Sequence, residues 1–245
     1  MAMWDPWRGC RRYSEGCRYC YIHKGDARRG TDTGDIHKTD RFYAPAAKLK
    51  NGQYKMKGGQ RVFLCFSSDF LLEDADPWRD KCWQMIKARP DLDFLFLTKR
   101  IERLPRCLPA DWGAGYDNVT IGCTVENQDR ADFRLPLFHQ LPIKHRNIIC
   151  QPMLERMDIE KYLDNTELVV AGGESDRDAR PPDYDWVLDL RAQCLRSGCA
   201  FEFRQCGTHF IKEGKRYTLN VRQLAAQARK ANIDIRLQKE NDHDP

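Results

Sequence analysis

The amino-acid sequence predicts an α/β protein, a partial or irregular (β/α) TIM-like barrel with parallel strands. Short, nearly continuous apolar segments alternate with longer helix-compatible segments, which is typical of βα units repeated around a parallel sheet. An open, doubly wound sheet is the alternative that the same alternation allows. The apolar fraction of 41% is enough for a substantial core, and we expect one domain over residues 1–245.

Six segments predict strands because they are short, apolar and rich in β-branched or aromatic residues. A short first strand is expected within residues 2–7, and helices are expected over 76–90 and 184–198. The six segments are RVFLCF (61–66), DFLFLT (93–98), NVTIGCTV (118–125), NIICQPM (147–153), ELVVAGG (167–173) and CAFEFRQ (199–205).

Two segments depart from this alternation. Residues 24–60 are rich in Gly, Lys, Asp and Thr and are interpreted as an irregular, mobile, basic insertion. Residues 211–245 are interpreted as a polar C-terminal extension, with one helix near 219–231 and a charged end. Nothing approaches an apolar run of about 18 residues, so no membrane span is expected. The N-terminus lacks the pattern of a signal peptide, and a cytoplasmic location is expected.

Polar side chains follow the predicted strands at the points where the strands end. In parallel α/β folds these carboxyl ends meet at one edge, where binding and catalytic groups collect. We therefore expect one site, built from Ser67, Ser68 and Asp69; Thr98, Lys99 and Arg100; Glu126 and Asn127; Gln151; Gly172, Gly173, Glu174 and Ser175; and Arg204, Gln205 and Cys206.

Three of the eleven cysteines, Cys10, Cys17 and Cys20, are spaced C-x6-C-x2-C. Thiolates are soft ligands that suit iron–sulfur clusters or zinc. A structural zinc ion normally takes four protein ligands, and the nearest fourth candidate is His23. Three thiolates around a four-iron cluster leave one iron open to a substrate or cosubstrate. The sequence therefore predicts one [4Fe-4S] cluster, with a zinc site as the alternative.

The segment CRRYSEGCRYCY resembles the cluster loop of radical S-adenosylmethionine (radical SAM) enzymes, with a longer first gap than their usual C-x3-C-x2-C. The chain is also similar to a poorly characterised, phage-associated three-cysteine family of that superfamily. The matching segments, WDPWRGC, CRYCY, LTKRIERL, GCTVEN and AGGES followed by ARP, span most of residues 1–210. The resemblance implies a parallel barrel with the cysteine loop after its first strand. It also implies S-adenosylmethionine, cleaved at a carbon–sulfur bond to give a 5′-deoxyadenosyl radical.

The same resemblance suggests roles for individual residues. Tyr19, which precedes the third cysteine, holds the place of the aromatic residue that packs near the adenine. Gly172, Gly173 and Glu174 resemble the GGE element that contacts the methionyl amino group, although here the element follows a late strand. A tight turn is the alternative for these glycines.

Other strand-end residues are expected to complete the cofactor site. Ser67, Ser68 and Asp69 are candidates for the carboxylate or amino group of methionine. Glu126 and Asn127 are candidates for the ribose hydroxyls. Ser, Asp and Asn also favour the first position of helices, so helix capping is the alternative for both groups.

Two residues are candidates for catalysis, Lys99 and Cys206. Lys99, with Arg100, is expected to bind a phosphate or carboxylate at the barrel mouth. Cys206 is a candidate radical-relay thiol or further ligand, with a buried structural cysteine as the alternative. Arg177 and Arg180 form an Arg-rich loop, which either closes over an anionic substrate or is a solvated surface.

Charge is distributed unevenly along the chain. Residues 1–60 carry 13 Lys and Arg against 6 Asp and Glu, a net charge of +7, and the remainder has a net charge of −2. A basic margin beside a site suggests an anionic partner, although an ordinary solvated surface explains it equally well. We expect radical chemistry on a nucleic acid or nucleotide, supplied by an electron donor, and a partner protein is left open. The alternatives are a zinc-stabilised nucleic-acid-binding module and a non-radical iron–sulfur protein of photolyase-like or sensor type.

Overall fold

The structure is a computed structural model that describes residues 1–237. Its secondary structure comprises short and long strands, six α-helices and several single 3-10 turns. The strands are β1 (Ala2–Trp4), β2 (Trp7–Arg8), β3 (His37–Lys38), β4 (Gln60–Leu64), β5 (Leu92–Thr98), β6 (Val119–Thr124), β7 (His145–Cys150), β8 (Leu168–Gly172), β9 (Ala200–Gln205), β10 (His209–Lys212) and β11 (Lys215–Thr218). The helices are α1 (Tyr21–Arg28), α2 (Asp76–Lys87), α3 (Leu104–Cys107), α4 (Gln128–Gln140), α5 (Tyr184–Arg196) and α6 (Val221–Ala231).

Seven strands form one parallel sheet in the order β1-β4-β5-β6-β7-β8-β9. The sheet curls into a half-barrel whose two edge strands are β1 and β9. The predicted α/β class and partial barrel are therefore confirmed. A doubly wound sheet reverses its strand order near the middle. Here the spatial order follows the chain order throughout, so the alternative is excluded.

The long strands lie where the apolar segments predict them, because most of their apolar side chains are buried in the core. Every residue of β6 is buried, for example. Helix α4 is not among the predicted helices. Pro136 lies inside it, and a proline normally argues against a helix interior.

Aromatic side chains dominate the core between the sheet and α2. Trp7 stacks on Phe70 with ring centroids 5.4 Å apart, and Phe70 packs against Phe96 at 4.9 Å. The indole of Trp83 donates a hydrogen bond of 2.7 Å to the carbonyl of Cys107, which satisfies its one polar atom. Burying such a side chain contributes about 1.5–3 kcal/mol.

The predicted insertion, residues 24–60, is irregular apart from the end of α1, β3 and one 3-10 turn, and it is anchored to the core. The buried guanidinium of Arg89 donates to the carbonyls of Pro45 and Met56, at 2.6 and 2.7 Å. The indole of Trp4 donates to the carbonyl of Phe42 at 3.1 Å. The segment thus packs against β1.

The C-terminal extension contains more structure than the single expected helix. Strands β10 and β11 form an antiparallel hairpin before α6, which matches the helix expected near 219–231. Beyond α6, Ile235 pairs with Phe201 through backbone hydrogen bonds of 2.9 and 3.0 Å, along the outer edge of β9. The rest of the expected charged end, residues 238–245, lies outside the described residues. No helix within residues 1–237 has the length and apolar character needed to cross a membrane.

Candidate functional site

A cavity of about 350 Å³ opens at the carboxyl ends of the parallel strands. The side chains that line it come from the cysteine-containing loop and from the ends of several strands. Among them are Cys10, Cys17, Tyr19, Cys20, His23, Ser67, Ser68, Asp69, Lys99, Arg100, Gln151, Gly173, Glu174, Arg204 and Gln205. The fold therefore brings together most of the residues that the strand ends and the cysteine spacing predict.

Residues 10–20, the cysteine loop, follow β1 and β2 and end at α1. Gly9 immediately precedes the loop and has a φ of +91°, which suits glycine. The N–H of Cys10 donates to the carbonyl of Thr33 at 2.8 Å. Cys17 closes a 3-10 turn, and Cys20 immediately precedes α1. All three thiols are free and partly exposed. The loop therefore presents three available thiols to one cavity.

The Cys10 thiol lies in a mixed electrostatic setting. Burial, together with the nearby Asp69, Cys17 and Cys20, raises the pKa of this thiol to about 12, although the charge of Arg100 acts in the opposite direction. The free thiol is consequently protonated at neutral pH. A bound metal would deprotonate it, because a coordinating thiol binds as the thiolate.

Zinc and an iron–sulfur cluster require different arrangements of their thiolate ligands. Within residues 1–237, no three or more Cys, His, Asp or Glu side chains are grouped as ligands of a single metal ion. A closed zinc site needs four donors around one ion, with Zn–S distances of about 2.3 Å. In a four-iron cluster each cysteine binds its own iron atom. Three free thiols around one cavity fit the donor set of a cluster, since they need not converge on a single point.

Arg100 fixes the start of the cysteine loop to the end of β5. Its buried guanidinium donates to the carbonyl of Arg11 at 2.9 Å and to the carboxylate of Asp69 at 3.3 Å. Arg11 in turn pairs with Asp74 at 2.7 Å. Arg100 lines the cavity, but its charge already faces Asp69, so it also has a structural role.

The middle of the loop is held by residues that the sequence alone did not connect. The hydroxyl of Tyr13 donates to Glu102 at 2.7 Å, and its ring lies beside the guanidinium groups of Arg100 and Arg134. The hydroxyl of Ser14 donates to Glu126. These contacts explain the long first gap of the cysteine motif, since the additional residues carry the side chains that dock the loop.

Glu126 and Asn127 do not line the cavity. Glu126 is completely buried and pairs with the equally buried Arg134 at 2.6 Å. The side chain of Asn127 accepts a hydrogen bond of 3.0 Å from the N–H of Arg130 and so caps α4. The structure thus corrects the expectation that this pair faces ribose hydroxyls, because both side chains already have partners within the protein.

Ser67, Ser68 and Asp69 follow β4 after two intervening residues. They differ in whether their side chains have hydrogen-bond partners within the protein. Asp69 accepts hydrogen bonds from the hydroxyl of Thr98 and the N–H of Lys99, at 2.8 and 3.1 Å, besides facing Arg100. The hydroxyl of Ser68 donates to the carbonyl of Gly9. Ser67 uses only its backbone N–H, toward Asp5. Among the described contacts, the hydroxyl of Ser67 has no partner and remains available to a ligand.

Lys99 and Gln151 are polar cavity residues whose side chains have no hydrogen-bond partner within residues 1–237. The ammonium of Lys99 also faces no carboxylate within 4 Å in that range, although the side chain is only partly exposed. A cation in this position attracts a carboxylate or phosphate. Gln151 follows β7 and was expected only as a strand-end residue, because a lone glutamine carries no distinctive signal.

Glu174 and Arg180 form an ion pair beside Tyr19. The guanidinium of Arg180 binds both oxygens of Glu174, and it lies 5.5 Å from the centre of the Tyr19 ring. The neighbouring Lys24 pairs with Asp176. The Arg180 side chain is therefore held by contacts within the protein. At this residue the Arg-rich loop is neither free to close over a substrate nor simply solvated.

The two glycines before Glu174 are required by packing. A Cβ on Gly173 would lie 2.6 Å from the carbonyl oxygen of Cys206, and one on Gly172 would lie 2.9 Å from the Gln151 side chain. Gly172 and Cys206 do not line the cavity, and Cys206 is buried behind the backbone of Gly173. Neither glycine has a positive φ, so close packing, rather than a tight turn, is what favours glycine at these positions.

A protein-family model described as "Protein of unknown function (DUF5131)" matches residues 1–241. No curated protein and no solved structure matches the chain. The match covers the cysteine loop and all the strand ends around the cavity. Because that description assigns no chemistry, the chemistry has to be inferred from the cavity itself.

Proposed function

We propose that this chain, which belongs to the DUF5131 family, is an iron–sulfur enzyme of radical SAM type that modifies a nucleic acid or nucleotide. One observation carries the proposal: three free thiols on the loop after the first strand line a cavity at the carboxyl edge of a parallel half-barrel. The eleven free cysteines also suit the reducing cytoplasm, where we place the protein.

Cys10, Cys17 and Cys20 are the residues that would hold a [4Fe-4S] cluster. With S-adenosylmethionine, the cluster would supply one-electron cleavage of a carbon–sulfur bond. The chain supplies the position of the three ligands. Arg100 and Tyr13 fix the cysteine loop from one side, and Arg180 fixes it from the other through the carbonyl of Glu15, at 2.9 Å.

The polar ends of the cosubstrate are assigned to cavity residues that retain a free hydrogen-bond donor or acceptor. Lys99 offers an ammonium group to the methionyl carboxylate, and the hydroxyl of Ser67 adds a hydrogen-bond donor. Glu174 remains an acceptor for the methionyl amino group, since a carboxylate has lone pairs beyond those used by Arg180.

Tyr19 is assigned to the adenine. Its ring lines the cavity, and Arg18 and Arg180 lie 5.3 and 5.5 Å from the ring centre. Contacts of this kind restrict the ring, and a restricted ring is a better stacking surface than a mobile one. Asp69, Glu126, Asn127 and Cys206 are left out of the assignment, because their side chains are engaged or lie away from the cavity.

The test begins with anaerobically purified and reconstituted protein. We expect about four irons per chain, no zinc, and 5′-deoxyadenosine after a chemical reductant and S-adenosylmethionine are added. The variant Cys17→Ala should lose both iron and product. Cys82→Ala is the matched control, because Cys82 is a buried residue of α2 that does not line the cavity, so its loss should leave the iron content unchanged. Iron without product would refute the radical mechanism, and zinc without iron would refute the cluster.

A further inference from the structure

The β10–β11 hairpin and helix α6, which follow β9, form a second basic region of the chain. Residues 209–231, called the hairpin–α6 segment below, contain six Lys and Arg and a single acidic residue, Glu213. The net charge of this segment, +5, equals that of the whole protein. The net charge of residues 61–245 as a whole is −2, because acidic residues elsewhere in that range outweigh this local excess of positive charge.

Five of these six cations have no carboxylate partner and no side-chain hydrogen bond within the part of the chain that the structure describes. All five are exposed. In the N-terminal region, by comparison, Arg8 and Arg29 share the carboxylate of Asp26. The five unpaired cations are Lys215, Arg216, Arg222, Arg229 and Lys230.

The cations are arranged on two connected surfaces. Strand β11 is exposed at every residue and places Lys215 and Arg216 beside Tyr217, whose side chain is 46% exposed. In α6, the buried residues Leu224 and Ala228 define the inner stripe. Arg222 and Arg229 lie two turns apart on the opposite side, about 10.5 Å along the axis.

The hairpin–α6 segment is fixed to the edge of the cavity. The N–H of Thr208 donates to the carbonyl of the cavity residue Glu174 at 2.8 Å, and Gln205, another cavity residue, ends the strand just before the hairpin. The N–H of Cys206 donates to the carbonyl of Leu224 in α6 at 3.3 Å. The base of the hairpin–α6 segment is therefore attached to the wall of the cavity.

From this arrangement we propose that the hairpin–α6 segment binds the phosphate backbone of a single-stranded nucleic acid and positions one nucleotide at the cavity. The unpaired cations attract phosphates, and Tyr217 offers a base a stacking surface. A single strand is favoured over a duplex because a base inside a stack cannot enter a cavity. The inference deepens the proposed function, since it names the substrate class of the same site.

Protection of an exposed strand edge is the simplest other role for lysine and arginine in β11. That role does not extend to α6, which has no free strand edge to protect. The cations of α6 and β11 together form a charged surface without an internal partner, which is the electrostatic feature expected of a backbone-binding region.

The experiment measures fluorescence anisotropy of labelled 20-nucleotide single-stranded DNA and RNA with reconstituted protein, between 50 and 200 mM salt. The variants Lys215→Gln/Arg216→Gln and Arg222→Gln/Arg229→Gln should each raise Kd by about tenfold or more. Each should also reduce the steepness of the salt dependence by about 1.4, which is 0.7 per lost phosphate contact. Tyr217→Ala should raise Kd by about fivefold or more.

The matched control is Lys50→Gln/Lys55→Gln, which removes the same charge from two exposed lysines of the N-terminal insertion. An equal loss of affinity in the control would refute the proposal, since binding would then follow net charge. Binding of polyglutamate but of neither oligonucleotide would also refute it, and would identify a surface for acidic proteins. Formation of 5′-deoxyadenosine is measured on the same preparation. Oligonucleotide binding without it would refute the proposed function and leave this inference standing.

Discussion

Arg180 binds the carboxylate of Glu174 through two nitrogen atoms, and one of them also donates to the carbonyl oxygen of Glu15 at 2.9 Å. A single guanidinium thus joins the loop after β8 to the cysteine loop. Glu174 is only 6% exposed, and the guanidinium of Arg180 is its ion-pair partner. The pair therefore makes the position of the cysteine loop sensitive to a residue more than 150 positions away in the sequence.

Substitution Arg180→Gln should lower the free energy of unfolding by about 1–3 kcal/mol, because the buried Glu174 carboxylate keeps the hydrogen bond from the backbone N–H of residue 180 but loses its charged guanidinium donor. Bound iron should also be lost faster, since the cysteine loop loses one of its attachments. Urea unfolding and the rate of iron release to a chelator measure the two effects. Arg177→Gln is the control on the same loop, because the Arg177 side chain is 88% exposed. A stable Arg180→Gln protein that retains iron normally would contradict the role given to the pair.

Tyr13 should stabilise the cysteine loop through both its hydroxyl and its ring. Burial and the hydrogen bond to Glu102 raise the pKa of Tyr13 to about 12, so the phenol remains a donor at neutral pH. Tyr13→Phe should cost about 0.5–1.5 kcal/mol of unfolding free energy. Tyr13→Ala should cost more, because the ring beside Arg100 is also lost. Thermal unfolding measures both, with Tyr43→Phe as a control on an exposed tyrosine. Equal effects of Tyr13→Phe and Tyr43→Phe would show that the bond to Glu102 contributes nothing.

The buried pair of Glu126 and Arg134 leads to a prediction that separates a structural role from ribose binding. Glu126→Gln should destabilise the protein by about 3–5 kcal/mol, because it leaves a buried guanidinium without its counter-charge. The double variant Glu126→Leu/Arg134→Met removes both charges and should be less destabilised than the single variant. Affinity for S-adenosylhomocysteine, measured by calorimetry on folded protein, should be unchanged in the double variant. A large loss of affinity at normal stability would instead restore the ribose-binding role.

The strands and the edge that holds the candidate site could be predicted from the sequence, whereas the pairing of the polar side chains could not. The strands could be predicted because buried parallel strands are continuously apolar, and the edge where they end follows from their common direction. Which polar residues stay free could not be predicted. Asp69, Glu126 and Glu174 are each neutralised by an arginine, and such pairings depend on the packing of loops. The side chains of Lys99 and Ser67 remain available because neighbouring polar groups form hydrogen bonds and ion pairs with other residues instead.

Asp26 makes stability dependent on pH in the acidic range. Burial alone would raise the pKa of Asp26, but hydrogen bonds from Arg29 and Thr33 and the charge of Arg8 outweigh it and hold the pKa below its ordinary value of 3.8. The folded state therefore binds this proton less readily than the unfolded state does. The resulting stabilisation is present above the ordinary pKa and is lost as the pH falls through the lower, folded-state value.

The measurement compares urea unfolding of the wild type and Asp26→Asn between pH 7 and pH 2.5. The difference between the two proteins should be largest at neutral pH and should shrink as the pH falls below about 4. Asp35→Asn is a control on an exposed carboxylate of the same segment. A difference between wild type and Asp26→Asn that does not change with pH would show that the carboxylate charge is not what stabilises this region.

If the proposed cosubstrate binds in the cavity, Lys99 should govern the affinity for its carboxylate. The N–H of Lys99 is fixed by Asp69, while its ammonium has no partner within residues 1–237. Loss of one hydrogen bond between charged groups costs about 1.5–3 kcal/mol, so Lys99→Met should weaken binding of S-adenosylhomocysteine by roughly 10- to 150-fold. Calorimetry on reconstituted protein measures this. Lys144→Met is the control, because Lys144 pairs with Asp117 on the surface. Unchanged affinity in Lys99→Met would remove Lys99 from the cosubstrate site and leave it as a candidate for contacts with the substrate alone.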